Sequence, residues 1–212
     1  MKIDIVSDVV CPWCIIGYRQ LQQALEQTGI EAEIHWHPFE LNPDMPAEGE
    51  QLRDHVMRKY GSSAEDSDKN RQQLVQVGAE LGIDFNFSEE SHIRNTYDAH
   101  QLMHWADTKG LKNDLKQSLF MAYFTEELDV SDRKVLVERA ASVGLDAVEA
   151  AAVLEDQRYA EIVRENEKLW VSRGIHGVPA VILDEKYLLS GAQGVENFSA
   201  ALKQVEAESA NA

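Results

Sequence analysis

The only two cysteines of the 212-residue chain, Cys11 and Cys14, lie three positions apart in the run Cys-Pro-Trp-Cys. Two thiols at this spacing can exchange disulfides: the first attacks a substrate and the second resolves the mixed disulfide. The pair could also be half of a zinc site, or two unreactive core thiols. A structural zinc needs four ligands, and without a second cysteine pair His35 and His37 would have to complete an irregular site. We therefore favour redox chemistry and predict no metal site.

The pair is predicted to lie where a strand passes into a helix. Residues 2–8 favour a strand because they are rich in β-branched side chains, and apolar residues then recur at helical spacing from Cys14 onward. Pro12 suits the first turn of a helix, where its missing N–H would have had no partner. The positive end of the helix dipole stabilises a thiolate, so the pKa of Cys11 is expected to fall from about 8.5 toward roughly 3.5–7. We expect Cys11 to be the exposed, attacking thiol and Cys14 to pack beneath it.

The order of elements predicts an α/β fold with a large insertion. Residues 31–39 alternate as a second strand does, so the chain opens strand–helix–strand with a parallel pair. Residues 51–172 are patterned as helix throughout, and the strand pattern returns at 180–183 and 186–190 before a last amphipathic helix. A sheet divided in this way is one α/β domain interrupted by an all-helical segment, because neither half alone buries enough apolar surface.

A second notable segment is Gly-Val-Pro-Ala-Val-Ile-Leu, where Pro179 precedes a short apolar strand. A proline is permitted at the first residue of a strand, and this is one interpretation. The other is that a cis Val178–Pro179 bond faces the thiols and offers unpaired backbone groups to an extended substrate.

Together these motifs resemble the thioredoxin-fold DsbA family. The segments SDVVCPWC, PFELNPDMP, NTYDAH and SGAQG are similar to its FrnE-like branch, which is also related to 2-hydroxychromene-2-carboxylate isomerase. The resemblance implies a discontinuous thioredoxin-like domain, residues 1–45 plus 173–212, and a helical insertion, residues 46–172.

The same resemblance implies a protein disulfide oxidoreductase with a redox-active CXXC motif. Cys11 would be its nucleophile, Cys14 its resolving thiol and Pro179 its cis-proline, with Val178, Pro12 and Trp13 completing the catalytic set. DsbA proteins usually have His where this chain has Trp13; an indole carries no charge to stabilise a thiolate, so we expect a less extreme oxidant. No FrnE-type extra cysteine pair is present.

Two other functions stay open. Some helical-insertion relatives are glutathione-dependent isomerases or transferases of small aromatic metabolites, and these typically have Ser in place of Cys11. The presence of both thiols favours the oxidoreductase. Apart from glutathione as a co-substrate, we expect no cofactor. A non-enzymatic binding module on a redox-inert scaffold is the third possibility.

Composition limits the partners. The chain has 20 basic and 37 acidic residues, a net charge of −17, which argues against nucleic acid and anionic membranes. The start of the chain lacks the pattern of a secretory signal, so we expect a cytoplasmic protein. Its partners would be protein thiol or disulfide clients or small thiols, and its oligomeric state is not predicted.

Five further residues are candidates for substrate contact. Asn95, Thr96 and His100 match a family segment on the helical insertion, His176 immediately precedes the Val-Pro loop, and Gln193 follows the last two strands. The alternative for each of these side chains is that it packs against its neighbours or lies in solvent without contacting a substrate.

Overall fold

The computed structural model describes residues 1–209. The described residues form six strands: β1 (Lys2–Ser7), β2 (Glu33–Pro38), β3 (Glu50–Gln51), β4 (His92–Ile93), β5 (Ala180–Leu183) and β6 (Tyr187–Ser190). They also form nine helices: α1 (Pro12–Thr28), α2 (Leu52–Tyr60), α3 (Ala64–Glu80), α4 (Tyr97–Asp107), α5 (Lys112–Phe124), α6 (Arg133–Ser142), α7 (Ala147–Asp156), α8 (Ala160–Ser172) and α9 (Val195–Ser209). The predicted α/β class is therefore confirmed. Among these helices none has the length and apolar character to cross a membrane.

The chain divides into two compact units. The first contains Met1–Leu41 and the described residues from Asn166 onward, and the second is Asn42–Glu165. The sequence placed these divisions at 45/46 and 172/173, with residues 210–212 of the predicted domain lying outside the described residues. The later division falls inside α8, where helical periodicity continues on both sides and gives no signal of a boundary.

The first unit is built on a four-stranded sheet in the order β2-β1-β5-β6. The central strand β1 pairs in parallel with β2, as predicted, and antiparallel with β5, which forms a hairpin with β6. Helix α1 begins with Pro12 and ends at Thr28. Gly29 caps it with a φ of 69°, a conformation that favours glycine. Helix α1 packs against α9.

An apolar cluster in the first unit supports the strand ends nearest the cysteines. It consists of Val6, Trp170, Ile175 and Ala180, and Val178 packs against it. Trp170 belongs to this cluster although the sequence assigned it to the insertion. The Val-Pro loop therefore rests on the core of the first unit.

The second unit is mainly helical but contains one short antiparallel pair, β3 with β4. The expectation of an all-helical segment is wrong in this detail, because two-residue strands are too short to produce an alternating pattern. Two of its helices begin with caps that follow sequence rules: Ser63 and Asp66 form a reciprocal capping box, and the Asp146 side chain accepts a hydrogen bond from the Glu149 backbone N–H.

Candidate active site

The two cysteines lie at the junction between β1 and α1, as predicted. Cys11 is the residue that precedes the first turn of α1, with extended backbone angles, and Pro12 is the first helical residue. The backbone N–H of Cys14 donates to the Cys11 carbonyl oxygen at 3.0 Å, which places the second cysteine one turn into the helix. Neither thiol is in a disulfide in this structure.

Both thiols are buried. Cys11 is 3% exposed and Cys14 is completely buried, whereas Trp13 between them is 40% exposed. The expectation of an exposed Cys11 is therefore wrong. Its Sγ is directed toward the Val178 carbonyl oxygen, 3.7 Å away, to which the thiol can donate a hydrogen bond.

The Val-Pro loop closes the other side of the pair. The Val178–Pro179 peptide bond is cis, and the Pro179 carbonyl oxygen accepts a hydrogen bond from the Gly191 N–H at 2.8 Å. The predicted residues Cys11, Val178 and Pro179 are thus brought together in one place. The loop is held from one side by the strand pairing that begins at Ala180 and from the other by the residues that follow β6.

Gly17 allows this loop to lie close to α1, and sequence reasoning missed it. A Cβ atom at position 17 would lie 3.3 Å from Pro179 Cγ and 3.6 Å from Ala192 Cα. Glycine within a helix is destabilising by about 1 kcal/mol relative to alanine. A glycine two turns into an otherwise regular helix is the signal from which a close approach could have been inferred.

The ionisation of Cys11 differs from the sequence expectation. The pKa of its thiol is raised well above the usual value, mainly by a hydrogen bond with the Cys14 side chain and next by burial. Negative charge on Cys14 and on Asp8 acts in the same direction, and the Cys14 backbone N–H lowers the pKa by less than these effects raise it. The helix start thus contributes as predicted, but burial and the second thiol outweigh it. Because the two thiols share a hydrogen bond, they titrate as a pair.

Asp8 is a second residue that the sequence did not single out. It is completely buried, its Oδ2 accepts the backbone N–H of Leu41 at 2.7 Å, and its carbonyl oxygen accepts the N–H of Cys11 at 3.4 Å. An acidic residue between a buried strand and a cysteine motif is the signal that could have drawn attention to it.

Two candidate substrate residues lie in the first unit. His176 is exposed in the segment between α8 and β5. Gln193 is also exposed. Its side-chain amide donates to the Ser190 carbonyl oxygen, and its main-chain carbonyl oxygen accepts from the Asn197 side-chain amide. Their contact with substrate stays a prediction.

The other three candidates lie in the second unit, around the start of α4. The Asn95 side chain accepts the Tyr97 N–H at 2.9 Å and lies 3.3 Å from the Met45 carbonyl oxygen. Thr96 and His100 are 2% and 1% exposed. These contacts organise the helix start, and a role in substrate binding stays a prediction for all three. Within residues 1–209 no group of three or more His, Cys, Asp or Glu side chains could hold a metal ion.

A dithiol at the start of a helix, on a sheet of this topology, defines a thioredoxin-fold protein of the disulfide-exchange class. The family model described as a DSBA-like thioredoxin domain matches residues 2–203. The chain belongs to the DSBA-like thioredoxin family.

Solved structures agree with this assignment. A protein described as a probable DsbA oxidoreductase, from Streptomyces coelicolor, is 33% identical, with 98% of this chain and 91% of that chain covered and a TM-score of 0.93. Similarity of fold alone extends to a 2-hydroxychromene-2-carboxylate isomerase, 16% identical over 100% of this chain and 98% of that chain, with a TM-score of 0.70. It extends also to the cytosolic disulfide reductase DsbM of Pseudomonas aeruginosa with GSH, 15% identical over 96% and 98% of the two chains, with a TM-score of 0.63.

Proposed function

We propose that this protein is a thiol–disulfide oxidoreductase that acts on protein or peptide dithiols and disulfides through Cys11 and Cys14. The observation that carries the proposal is the meeting of three features: two thiols one helical turn apart, the Val178 carbonyl oxygen 3.7 Å from the first sulfur, and Pro179 beside it. The family membership of the whole chain supports it.

The chemistry is two successive thiol–disulfide exchanges. The Cys11 thiolate attacks a substrate disulfide, so that a Cys11–substrate disulfide forms and the other substrate sulfur leaves as a thiolate. Cys14, after losing its proton, attacks Cys11 Sγ; the Cys11–Cys14 disulfide forms and the second substrate thiolate leaves. The substrate gains two electrons and the protein loses two, and the reverse sequence oxidises a substrate dithiol.

The Val-Pro loop is proposed to position the substrate. The Val178 carbonyl oxygen accepts the Cys11 thiol in the reduced protein, and it becomes available to an incoming peptide when Cys11 ionises or forms a mixed disulfide. An extended peptide could then pair with the backbone immediately before β5, as peptides add to open strand edges. Trp13, exposed between the cysteines, would lie against the substrate side chain next to its reactive sulfur.

The ionisation of the pair supports a weak oxidant. DsbA-type oxidants are strong because their reduced form is stabilised. Here the Cys14 hydrogen bond and burial raise the pKa of Cys11, so thiolate formation stabilises the reduced form less. A protein of this kind suits a reducing, cytoplasmic compartment, and the similar fold of a reductase described as cytosolic supports that location. Small thiols such as glutathione are proposed as the redox partner.

The test is a redox titration of the purified protein against glutathione, followed by Trp13 fluorescence and by alkylation and mass spectrometry. The proposal expects a reversible intramolecular disulfide in the wild type and none in Cys11→Ser or Cys14→Ser. Reduction of a disulfide-containing peptide should require both cysteines. The absence of any Cys11–Cys14 disulfide would contradict the proposal.

The isomerase fold neighbour makes one further outcome informative. Glutathione-dependent isomerisation of a small aromatic substrate, undiminished in Cys14→Ser, would replace the oxidoreductase with the glutathione-dependent enzyme.

A further inference from the structure

The segment that leads into the Val-Pro loop carries basic side chains, although the chain as a whole has a net charge of −17. Residues 168–183 include Lys168, Arg173 and His176 but no Asp or Glu, while 37 of the 212 residues are acidic. All three basic side chains are exposed. Within residues 1–209, none of the three forms an ion pair with an acidic side chain. Their charge is therefore not neutralised by the described part of the protein.

The other segments that form the site also lack acidic residues. Residues 9–25, which contain the cysteine pair, and residues 186–195, which contain β6 and the turn after it, have no Asp or Glu. Asp8 and Glu40 lie close to these segments, but both are buried and add no exposed carboxylate. In the first unit, the surface formed by these segments is thus neutral to basic.

Arg173 is the best ordered of the three basic side chains. Its guanidinium carbon lies 5.0 Å from the centre of the Trp170 ring, and its backbone N–H bonds to the last carbonyl groups of α8. Trp170 belongs to the apolar cluster against which Val178 packs. A guanidinium stacked on an aromatic ring keeps its N–H donors available, and its order reduces the entropy lost on binding. Arg173 is therefore prepared to bind an anion close to the Val-Pro loop.

Arginines of the second unit are used differently. Most of them form ion pairs with carboxylates of the same unit, as Arg53, Arg58, Arg71, Arg94, Arg133, Arg139 and Arg158 do. A carboxylate is the group that a guanidinium binds best in this chain's own contacts, since it can accept two parallel hydrogen bonds. An ordered arginine without a carboxylate, in a chain so rich in acids, indicates that its partner comes from outside.

Resting on the function proposed above, we propose that Arg173 is a specificity-determining residue that binds a carboxylate of the substrate, so that the cysteine pair exchanges disulfides preferentially with acidic peptides. Lys168 and His176 add to the attraction. An extended peptide advances about 3.3 Å per residue, so the carboxylate would lie within a few residues of the reactive cysteine. The net charge of the chain repels such a peptide at long range, but that repulsion is screened beyond about 8 Å at physiological ionic strength.

The test compares three peptides that differ only in charge. Each contains one disulfide and has Glu, Gln or Lys at the same two positions beside it, and stopped-flow measurement gives its rate constant with the reduced full-length protein. Each rate constant is divided by that of the same peptide with dithiothreitol, because neighbouring charges also change the reactivity of a disulfide. Attraction and repulsion at an exposed site each change the rate by about threefold, so the wild type should prefer Glu to Lys by about tenfold. In 1 M salt the preference should nearly disappear.

Arg173→Gln removes the charge that carries the proposal. The Glu-to-Lys preference should fall to about threefold or less in this variant, since one ion pair is lost and one repulsion is relieved. Arg173→Lys keeps the charge and should retain most of the preference. A role of Arg173 in packing against Trp170 alone predicts the opposite, because both variants lose the stacked guanidinium and neither would change the ratio between peptides.

Lys203→Gln is the matched control. Lys203 is an exposed residue of α9 with no ion pair among residues 1–209, so its removal changes the net charge by the same amount. Helix α9 packs against α1, whose Tyr18 contacts Trp36, whereas Trp170 contacts His37. Neighbouring residues of a strand point to opposite faces of the sheet, so Lys203 and Trp170 lie on opposite sides. The peptide preference of this variant should equal that of the wild type.

An unchanged preference in Arg173→Gln, or an equal loss in Lys203→Gln, would overturn the proposal. A uniform slowing of all three peptides in Arg173→Gln leaves their ratio unchanged and also counts against it. A wild type that reduces the three peptides at one corrected rate refutes the selection by charge and leaves the oxidoreductase intact. A wild type that reduces none of them refutes the oxidoreductase, and the selection with it.

Discussion

Gly17→Ala is expected to slow disulfide exchange while the protein remains folded. The added Cβ would lie 3.3 Å from Pro179 Cγ, with Ala192 Cα and Cβ at 3.6 and 3.7 Å. Carbon atoms prefer separations of about 3.5–4.0 Å, so the Pro179 contact is short by a few tenths of an ångström. The smallest adjustment that relieves it moves the Val-Pro loop away from α1, and with it the carbonyl group that faces Cys11.

The effect on stability is small because two contributions oppose each other. Replacing a helical glycine with alanine stabilises by about 1 kcal/mol, and overfilling a packed contact typically destabilises by about 1–3 kcal/mol. We therefore expect a net loss of between zero and about 2 kcal/mol, or at most several degrees in Tm for a protein of this size. Gly17→Val adds two more methyl groups than Gly17→Ala at the same contact, so this variant should be clearly less stable than the wild type.

The effect on activity is a modest slowing of exchange. A misplacement of about 1 Å at a reacting centre can slow a reaction by about a hundredfold, so a shift of a few tenths of an ångström corresponds to roughly threefold. Stopped-flow exchange with a disulfide peptide, alongside thermal unfolding of the same samples, separates rate from stability. Gly177→Ala is the matched control in the same loop, because a Cβ there meets nothing within 4 Å.

One result would refute this reasoning. If Gly17→Ala and Gly17→Val both exchange disulfides at the wild-type rate while remaining folded, the position of Pro179 against α1 does not determine the rate. Equal slowing in Gly177→Ala would also refute it, because that variant leaves the Gly17 contact intact.

Other perturbations have equally definite outcomes. Cys14→Ser should accumulate a mixed disulfide with a substrate peptide that non-reducing mass spectrometry detects, and Cys11→Ser should not. Arg58 and next His55 lower the pKa of Glu50 to about 2, so the stability this provides is present above the ordinary pKa and is lost as the pH falls toward 2. Urea unfolding should therefore show Glu50→Gln less stable than the wild type by about 1 kcal/mol at pH 7, a value reduced for solvent screening. The difference should shrink as the pH falls and vanish below pH 2. Trp170→Ala should lose about 3–5 kcal/mol, whereas the half-exposed Leu169→Ala should change little in the same assay.

The sequence predicted the elements that carry the site because their signals are local. The β-branched run of β1, the proline at the first position of α1 and the alternation of β2 each lie within a few residues, and each element is present in the structure. The cysteine pair was placed correctly for the same reason. Its spacing and its position relative to the helix start are properties of a single turn.

What the sequence could not show depends on contacts between distant segments. Cys11 is buried because the Val-Pro loop, more than 160 positions away, brings a carbonyl oxygen to its sulfur. The pKa of Cys11 was predicted in the wrong direction because its burial and its hydrogen bond to Cys14 are tertiary properties. Gly17 and Asp8 were missed because their partners, Pro179 and Leu41, are not neighbours in sequence.

The residues that support the contact between Cys11 and Val178 extend into α8, which is another consequence of contacts between distant segments. Trp170 packs with Val6 and Ala180, and its ring lies 4.6 Å from that of His37. The His37 Nε2 in turn donates a hydrogen bond to the buried Asp4 carboxylate, with 2.7 Å between Nε2 and Oδ1. This cluster supports Val178, and Val178 faces Cys11. The last turns of α8 are therefore part of the machinery that holds the thiol contact, although by periodicity they continue the helical segment before them. The part of the first unit that carries the Val-Pro loop therefore begins at Asn166, inside α8, and not at Gly174, which follows that helix.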